Sequence, residues 1–197
     1  MTVHGYIGLG MMGSAMCERL ASSGATVLAY DLNPAAVDAA VEHGATATGS
    51  TEEVAEQADI ISTCVPAAVH VDAVIDELAA VGRAGQTLVI HSTVHPDTIR
   101  AAQTRVAAWE GLVFDAAVAG GDEAARRGEL AIFAGGLTDA PPIVTELLKI
   151  YGSKVIDAGP VGSGAALKIA VNVMTYAQFT AAAIAHDGVA SSGGDPS

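Results

Sequence analysis

Along this chain, short continuous apolar runs alternate with stretches whose apolar residues recur every three to four positions, and the alternation predicts its elements. Runs at 3–7, 26–30, 45–48, 59–65, 87–90, 112–118, 130–134 and 155–158 read as strands, too uniformly apolar to keep one face wet. Helical patterns lie between them. The first follows Ile7 through a glycine-rich turn. Asn33 and Pro34 open a second over 35–42, because proline suits a first helical turn, and Gly44 ends it. Ser50 or Thr51 caps a third, with Glu52 and Glu53 near its positive end. Val71, Val74, Ile75 and Leu78 set the buried face of a fourth over 69–81. A fifth begins near Pro96 and a sixth covers 141–151. From Gly164 to about residue 190 the pattern is one alanine-rich helix, and 191–196 resembles a turn into another. Buried strands joined by amphipathic helices predict an α/β fold: a doubly wound, mostly parallel sheet followed by a long C-terminal helix.

Composition narrows the classes. A chain of 197 residues, 51% apolar, buries a sizeable core and holds one domain with room for an appendage. Its net charge of −13 offers no basic stripe to phosphates, so neither nucleic acid nor an anionic membrane surface is an expected partner. Two cysteines, Cys17 and Cys64, make no disulfide framework and fit a reduced, cytoplasmic setting. No basic-then-apolar leader precedes the first strand. Lys168, Asn172 and Gln178 interrupt the final helix, so no membrane span is expected. The histidines are scattered, His91 and His95 lack a third ligand, and no metal is expected. Arg126 and Arg127 read as a solvated helix face.

Candidate chemistry gathers where strands end. Gly8, Gly10 and Gly13 are spaced G-x-G-x-x-G between an expected strand and an expected helix. Gly8 lets the chain turn sharply, Gly10 lets the backbone approach a pyrophosphate, and Gly13 lets the helix lie close on the sheet. The first N–H groups of that helix have no partner within it and point at a phosphate. The run 26–30 ends in Asp31, placed one β-α-β unit later to accept the hydroxyl hydrogens of an adenosine ribose. Together these features predict a Rossmann dinucleotide site, with Leu9, Met11 and Met12 in the turn and Leu32 and Asn33 after the acid.

Further strand ends leave two readings each. Val65 and Pro66, after Cys64, form either a wall of the cofactor site or a plain strand exit. Ser92 and Thr93 either reach ribose or nicotinamide, or cap the helix at Pro96. In Asp115-Ala-Ala-Val-Ala119-Gly120-Gly121, the paired glycines let N–H groups converge on a carboxylate, or simply make a loop. Lys168 and Asn172 stand four apart on one face of the last helix, among alanine, leucine, isoleucine and valine. An ammonium is costly there without work or a partner. Surroundings readily lower a lysine pKa, which suits proton exchange with an alcohol or carbonyl. The alternative is a lysine reaching from a packed helix to water.

These segments, in this order, resemble the β-hydroxyacid dehydrogenase family, which includes 3-hydroxyisobutyrate dehydrogenases, tartronate semialdehyde reductases and, more distantly, 6-phosphogluconate dehydrogenase. Gly8-Leu9-Gly10-Met11-Met12-Gly13, with Met16 and Leu20, is close to the family's amino-terminal signature. Ser92, Thr93 and Pro96 resemble its S-T-x-x-P segment, and Asp115 to Gly121 is similar to its D-A-P-V-S-G-G loop. Gly164, Lys168 and Asn172 match its catalytic helix.

The resemblance implies an oxidoreductase moving hydride between NAD, with NADP the alternative, and a small β-hydroxy acid. Lys168 would be the general acid/base and Asn172 would orient the reacting oxygen. Gly120 and Gly121, beside Ala119, would hold the substrate carboxylate. Asp31, with no basic residue after it, favours NAD. Departures are Ala119 for the family's serine, Ala117 for its loop proline, and Arg19, expected to be structural, for its asparagine. In the family the long helix leads into an all-α domain that covers the nicotinamide and forms the dimer. Here residues 1–161 are expected to be the dinucleotide-binding domain and 162–197 the interdomain helix, with most of the all-α domain absent. A homodimer through that helix is expected. The alternatives are a truncated, catalytically incomplete NAD-binding domain and an imine reductase of the same fold, although such enzymes typically lack the lysine.

Overall fold

Neighbouring residues on the central strands serve opposite faces, as the two-residue period of a strand requires. Tyr6 and Ile60 enter one apolar core, whereas Ile7 and Ile61 enter another. The structure, a computed structural model, describes residues 2–193 and 195. Its strands are β1 (Val3–Ile7), β2 (Thr26–Tyr30), β3 (Thr46–Ala47), β4 (Ile60–Thr63), β5 (Thr87–Ile90), β6 (Leu112–Ala119), β7 (Leu130–Gly135) and β8 (Gly152–Asp157). They form one sheet in the order β3-β2-β1-β4-β5-β6-β7-β8. The helices are α1 (Met11–Ser22), α2 (Pro34–Glu42), α3 (Thr51–Gln57), α4 (Ala68–Ala79), α5 (Pro96–Val106), α6 (Gly121–Arg127), α7 (Pro142–Tyr151) and α8 (Ser163–Ser191). Contacts link α1 with α2, α6 and α7 over the first core, and run from α3 through α4 and α5 to α8 over the second.

Strands β1 to β6 are mutually parallel, and the sheet turns antiparallel between β6 and β7. The connection explains the reversal. Residues 120–129 hold only the short α6, fewer than the dozen or so a parallel crossover needs. From β7 a full crossover through α7 reaches β8, which lies parallel to it. Helix α6 carries Arg126 and Arg127, which the sequence placed on a solvated helix face without giving that helix bounds. Arg126 on it pairs with Glu18 and Asp122, and Arg127 with Glu123 and Glu129, so the pair faces solvent in salt bridges.

Caps follow local chemistry. The Asn33 side chain accepts from Ala35 N–H, and Ser50 Oγ accepts from Glu53 N–H while the Glu53 carboxylate accepts from Gly49 N–H. His95, not Ser92 or Thr93, caps α5, its ring nitrogen accepting from Asp97 N–H at 3.2 Å. Arg19 donates to the Ile150 carbonyl at 3.0 Å, tying α1 to the last turn of α7. Helix α8 has two regimes. Its first turns pack on β6, β7 and α5, whereas every residue from Val173 to Ser191 is exposed. The turn expected at 191–196 falls partly outside the described residues, at Gly194 and Pro196.

Candidate functional site

Strand order reverses between β1 and β4, and the carboxyl ends of β1, β2 and β4 leave a crevice at that switch point. A cavity of about 720 Å³ opens there, lined among others by Gly8, Gly10, Met11, Met12, Gly13, Asp31, Leu32, Val65 and Pro66. Residues far apart in the sequence and predicted to share a nucleotide therefore line one space.

Its floor is the glycine turn. Gly8 has φ of 93°, and a Cβ there would stand 2.5 Å from the Cys64 carbonyl oxygen. A Cβ on Gly13 would run into the carbonyl oxygen of Gly8, so only glycine lets α1 begin this close to β1. Gly10 is the N-cap of α1 and offers no side-chain cap, and a Cβ there would meet nothing within 4 Å. The first N–H groups of α1 thus face an open cavity, a ready cradle for an anion.

Asp31 closes the turn from β2. Its Oδ2 accepts from Leu9 N–H at 2.6 Å and its Oδ1 from Asn33 N–H at 2.7 Å. One carboxylate thus holds the glycine turn and the start of α2, with lone pairs left for a ligand. Leu9 and Asn33 play different parts from their neighbours: the Leu9 side chain is in the core, and Asn33 caps α2. Neither lines the cavity.

The far wall was not expected from the sequence. His70, Ala73, Val74 and Glu77 of α4 line the cavity, together with Tyr30, Thr51 and Cys64. The available signal was the spacing of His70 and Glu77, two helical turns apart on one face. Among the described residues no lysine or arginine lines this cavity, while Asp31 and Glu77 do. An adjoining cavity of about 310 Å³ shares Tyr30, Asp31 and Leu32 and adds Asp38. Burial pushes the Cys64 thiol up to about 11, which leaves it un-ionised and unreactive at neutral pH.

Beside it, Ser92 is buried and its Oγ accepts from Val65 N–H at 2.8 Å, which pins the Val65–Pro66 wall to the end of β5. Thr93 is exposed and lies outside the cavity lining. Deeper in the sheet, the His91 ring is fully enclosed. Its Nδ1 lies 2.8 Å from the Ala116 carbonyl, so Nδ1–H donates, and Nε2 accepts from Ser62 Oγ at 3.1 Å. Ser62 Oγ in turn lies 3.3 Å from the Tyr151 hydroxyl, which donates to it. Burial pushes His91 down to about 4, so it is a neutral core residue.

The remaining predicted residues lie around β6 and α8. Ala119 is half-buried at the end of β6, and Gly120 and Gly121 are exposed with φ of 135° and 82°. Lys168 and Asn172 are half-buried, one turn apart on α8. Burial lowers the Lys168 pKa, and Lys168 forms no salt bridge among the described residues. None of these residues lines the cavity at the glycine turn.

Comparison with known proteins agrees with this geometry. Residues 4–159 match the model of the NAD binding domain of 6-phosphogluconate dehydrogenase. The mitochondrial 3-hydroxyisobutyrate dehydrogenase of Drosophila melanogaster is 33% identical over 171 residues, 86% of this chain and 53% of that protein. A structure of Mycobacterium tuberculosis 3-hydroxyisobutyrate dehydrogenase with L-serine superposes with a TM-score of 0.93 at 28% identity, covering 98% of this chain and 66% of that one. An imine reductase from Pseudomonas sp., 22% identical with a TM-score of 0.88, shares the fold. The chain spans about half the length of the curated 3-hydroxyisobutyrate dehydrogenases it matches. Glycine turn, acid, switch-point cavity and matched relatives converge, and the chain belongs to the family of the NAD binding domain of 6-phosphogluconate dehydrogenase as a 3-hydroxyisobutyrate dehydrogenase-like member.

Proposed function

We propose that this chain binds NAD in the switch-point cavity and serves a dehydrogenase acting on a small β-hydroxy acid. The observation that carries the reading is the open, glycine-bared start of α1, which lines one cavity together with Asp31. Backbone N–H groups after Gly10 hold the pyrophosphate, and Asp31 accepts from the ribose hydroxyls while keeping Leu9 and Asn33 in place. Leu32 and the α4 wall flank the adenine end, and Val65 and Pro66 lead toward the nicotinamide end, with Thr93 beyond them. Asp31, Glu77 and Asp38 without a lining cation favour NAD over NADP.

Bound NAD supplies a two-electron hydride acceptor. This chain's residues supply the rest. Gly120 and Gly121 present N–H groups to the substrate carboxylate next to Ala119. Lys168, with a pKa lowered by burial, takes the proton from the substrate hydroxyl and returns it in the reverse direction. Asn172 orients that oxygen. With alanine at 119 in place of the family's serine, the site favours substrates that need no hydroxyl contact there.

Titration of the 197-residue protein with NAD, followed by turnover with a panel of short hydroxy acids, tests the reading. NAD binding with NAD reduction that Lys168→Ala abolishes is the expected result. Full turnover by Lys168→Ala would remove the lysine from the chemistry. A second reading, a nucleotide-binding domain without turnover of its own, is favoured by the separation of Ala119, Gly120, Gly121, Lys168 and Asn172 from the lining of the cavity at the glycine turn. NAD binding with no turnover on any acid supports it. Turnover of a cyclic imine, with none of hydroxy acids, would replace both.

The exposed part of α8 supports a homodimer. Val173, Tyr176, Phe179 and Ile184 cover one side of the helix, and Met174 and Val189 the other. A helix apolar around so much of its circumference is one that becomes buried, and an isolated helix is marginal in water. We infer that a second copy packs there. No described helix is long and apolar enough to cross a membrane. A cytoplasmic location accompanies the proposal and is read by cell fractionation.

A further inference from the structure

Asp115 is 1% exposed in the middle of β6, and each of its oxygens accepts a hydrogen bond from backbone. Oδ1 accepts from Gly162 N–H at 2.6 Å and Oδ2 from Ala165 N–H at 2.7 Å. Gly162 is the N-cap of α8 and brings no side-chain cap of its own; Ala165 lies in the first turn. These N–H groups have no partner inside the helix, and the helix dipole makes the same spot positive. A single carboxylate, far away in the sequence, therefore caps the helix that carries Lys168.

The surrounding backbone closes on it. A Cβ on Gly135 of β7 would run into Asp115 Oδ1. A Cβ on Gly164 would run into the Phe133 carbonyl oxygen and lie 2.9 Å from Asp115 Oδ2. Arg100 of α5, beside Gly162, is committed to Asp97 at 2.6 Å. Lys168 follows Ala165 by less than one turn, about 4.5 Å along the axis. From Val173 onward nothing described covers the helix. The position of Lys168 is thus set by the first turns of α8, where the Asp115 cap adds to the packing on β6, β7 and α5.

We propose that Asp115 is a positioning residue, which holds the first turn of α8 on β6 and so fixes where Lys168 stands relative to the loop at Ala119–Gly121. The proposal rests on the reading of Lys168 as general acid/base. One strand then sets both halves of the substrate site: its middle anchors the lysine helix, and its end carries the glycine pair. The half-burial that lowers the Lys168 pKa depends on that anchor.

Asp115→Asn tests it, because the amide keeps the shape, loses the charge and turns an NH2 group toward an N–H that needs an acceptor. Three readouts apply. Amide exchange at Gly162 and Ala165 accelerates about tenfold or more, as loss of charge-assisted hydrogen bonds requires. Lys168, resolvable by carbon-13 NMR as one of three lysines with Lys149 and Lys154, titrates closer to a free lysine. In turnover, kcat falls about tenfold or more while the KM for NAD stays within about twofold, since the cavity at β1, β2 and β4 is untouched. If Asp115→Asn does not fold, Gly164→Ala, which pushes α8 off β7, is read for the same changes. A folded variant with unchanged Lys168 titration and unchanged kcat overturns the proposal. Lys168→Ala with full turnover sinks the catalytic reading instead, whereas an inactive Lys168→Ala beside a fully active Asp115→Asn sinks only the positioning role. The lysine titration needs no turnover and decides the matter in a chain that binds NAD without reducing it.

Discussion

Replacing Asp31 by alanine separates two jobs of one carboxylate. In the folded protein it accepts from Leu9 N–H and Asn33 N–H at 2.6 and 2.7 Å. Hydrogen bonds to a charged group contribute about 1.5–3 kcal/mol each; the bond from Asn33 is solvent-exposed and counts for less, so the glycine turn loosens and folding stability falls by roughly 2–4 kcal/mol. Loss of the ribose acceptor removes a similar amount from NAD binding, a weakening of about 30- to 1000-fold at 1.4 kcal/mol per decade. The second job is exclusion. A 2′-phosphate brought to hydrogen-bonding distance of the carboxylate meets a repulsion between about 1 kcal/mol in water and about 4 kcal/mol at an effective dielectric of 20, per unit charge. Among the described residues no lysine or arginine lines the cavity to offset it. Wild-type protein is therefore expected to prefer NAD over NADP by about 30-fold or more. Asp31→Ala brings the two cofactors within about fivefold of each other, both weakly bound, because repulsion disappears and no cation replaces it. Calorimetric titration of both cofactors into both proteins, at one stated ionic strength, measures all four affinities, with urea unfolding run alongside. Equal wild-type affinity for NAD and NADP, or an unchanged ratio in Asp31→Ala, would refute the reasoning.

Three further outcomes are expected. Gly13→Ala drives a methyl group into the Gly8 carbonyl oxygen, so NAD binding is lost and stability drops by about 1–3 kcal/mol, read by calorimetry and thermal unfolding. His91, held neutral in the fold with a pKa of about 4 against 6.5 unfolded, takes up a proton only on unfolding between those values. Stability is accordingly unaffected by it above about pH 6.5, falls by roughly 3 kcal/mol as pH drops toward 4, and loses no more below that. In His91→Gln this part of the urea-midpoint profile flattens, and an unchanged profile would contradict the assignment. Finally, sedimentation of the wild-type protein reports a dimer that Phe179→Glu, on the exposed part of α8, converts to monomer; a wild-type monomer at high concentration rejects the interface.

Much of the site is legible without coordinates because its chemistry is local. Gly8, Gly10 and Gly13 act within one turn, and Asp31 follows one β-α-β unit later, so spacing alone places them together. The α4 wall is different. His70 and Glu77 carry a helical period, but nothing in that period says which cavity the face borders. Thr93 shows the same limit from the other side: its place after β5 is readable, whereas its position outside the cavity lining depends on how that strand end packs. Ser92 turned out to brace Val65, 27 residues earlier in the chain.

By itself the sequence determined what backbone geometry controls over a few residues: the period of each strand and helix, the helix starts at Asn33-Pro34 and at Ser50 or Thr51, the turn at Gly8. Those follow from rules acting between positions one to four apart. Only the tertiary structure decided what depends on neighbours brought from a distance. The reversal at β7 came from a connection too short for a crossover. The enclosed chain of His91, Ser62 and Tyr151 and the cap placed by Asp115 on α8 join residues whose separation in sequence carries no period. A buried polar group must find a partner wherever packing delivers one, and that constraint is set by the assembled core.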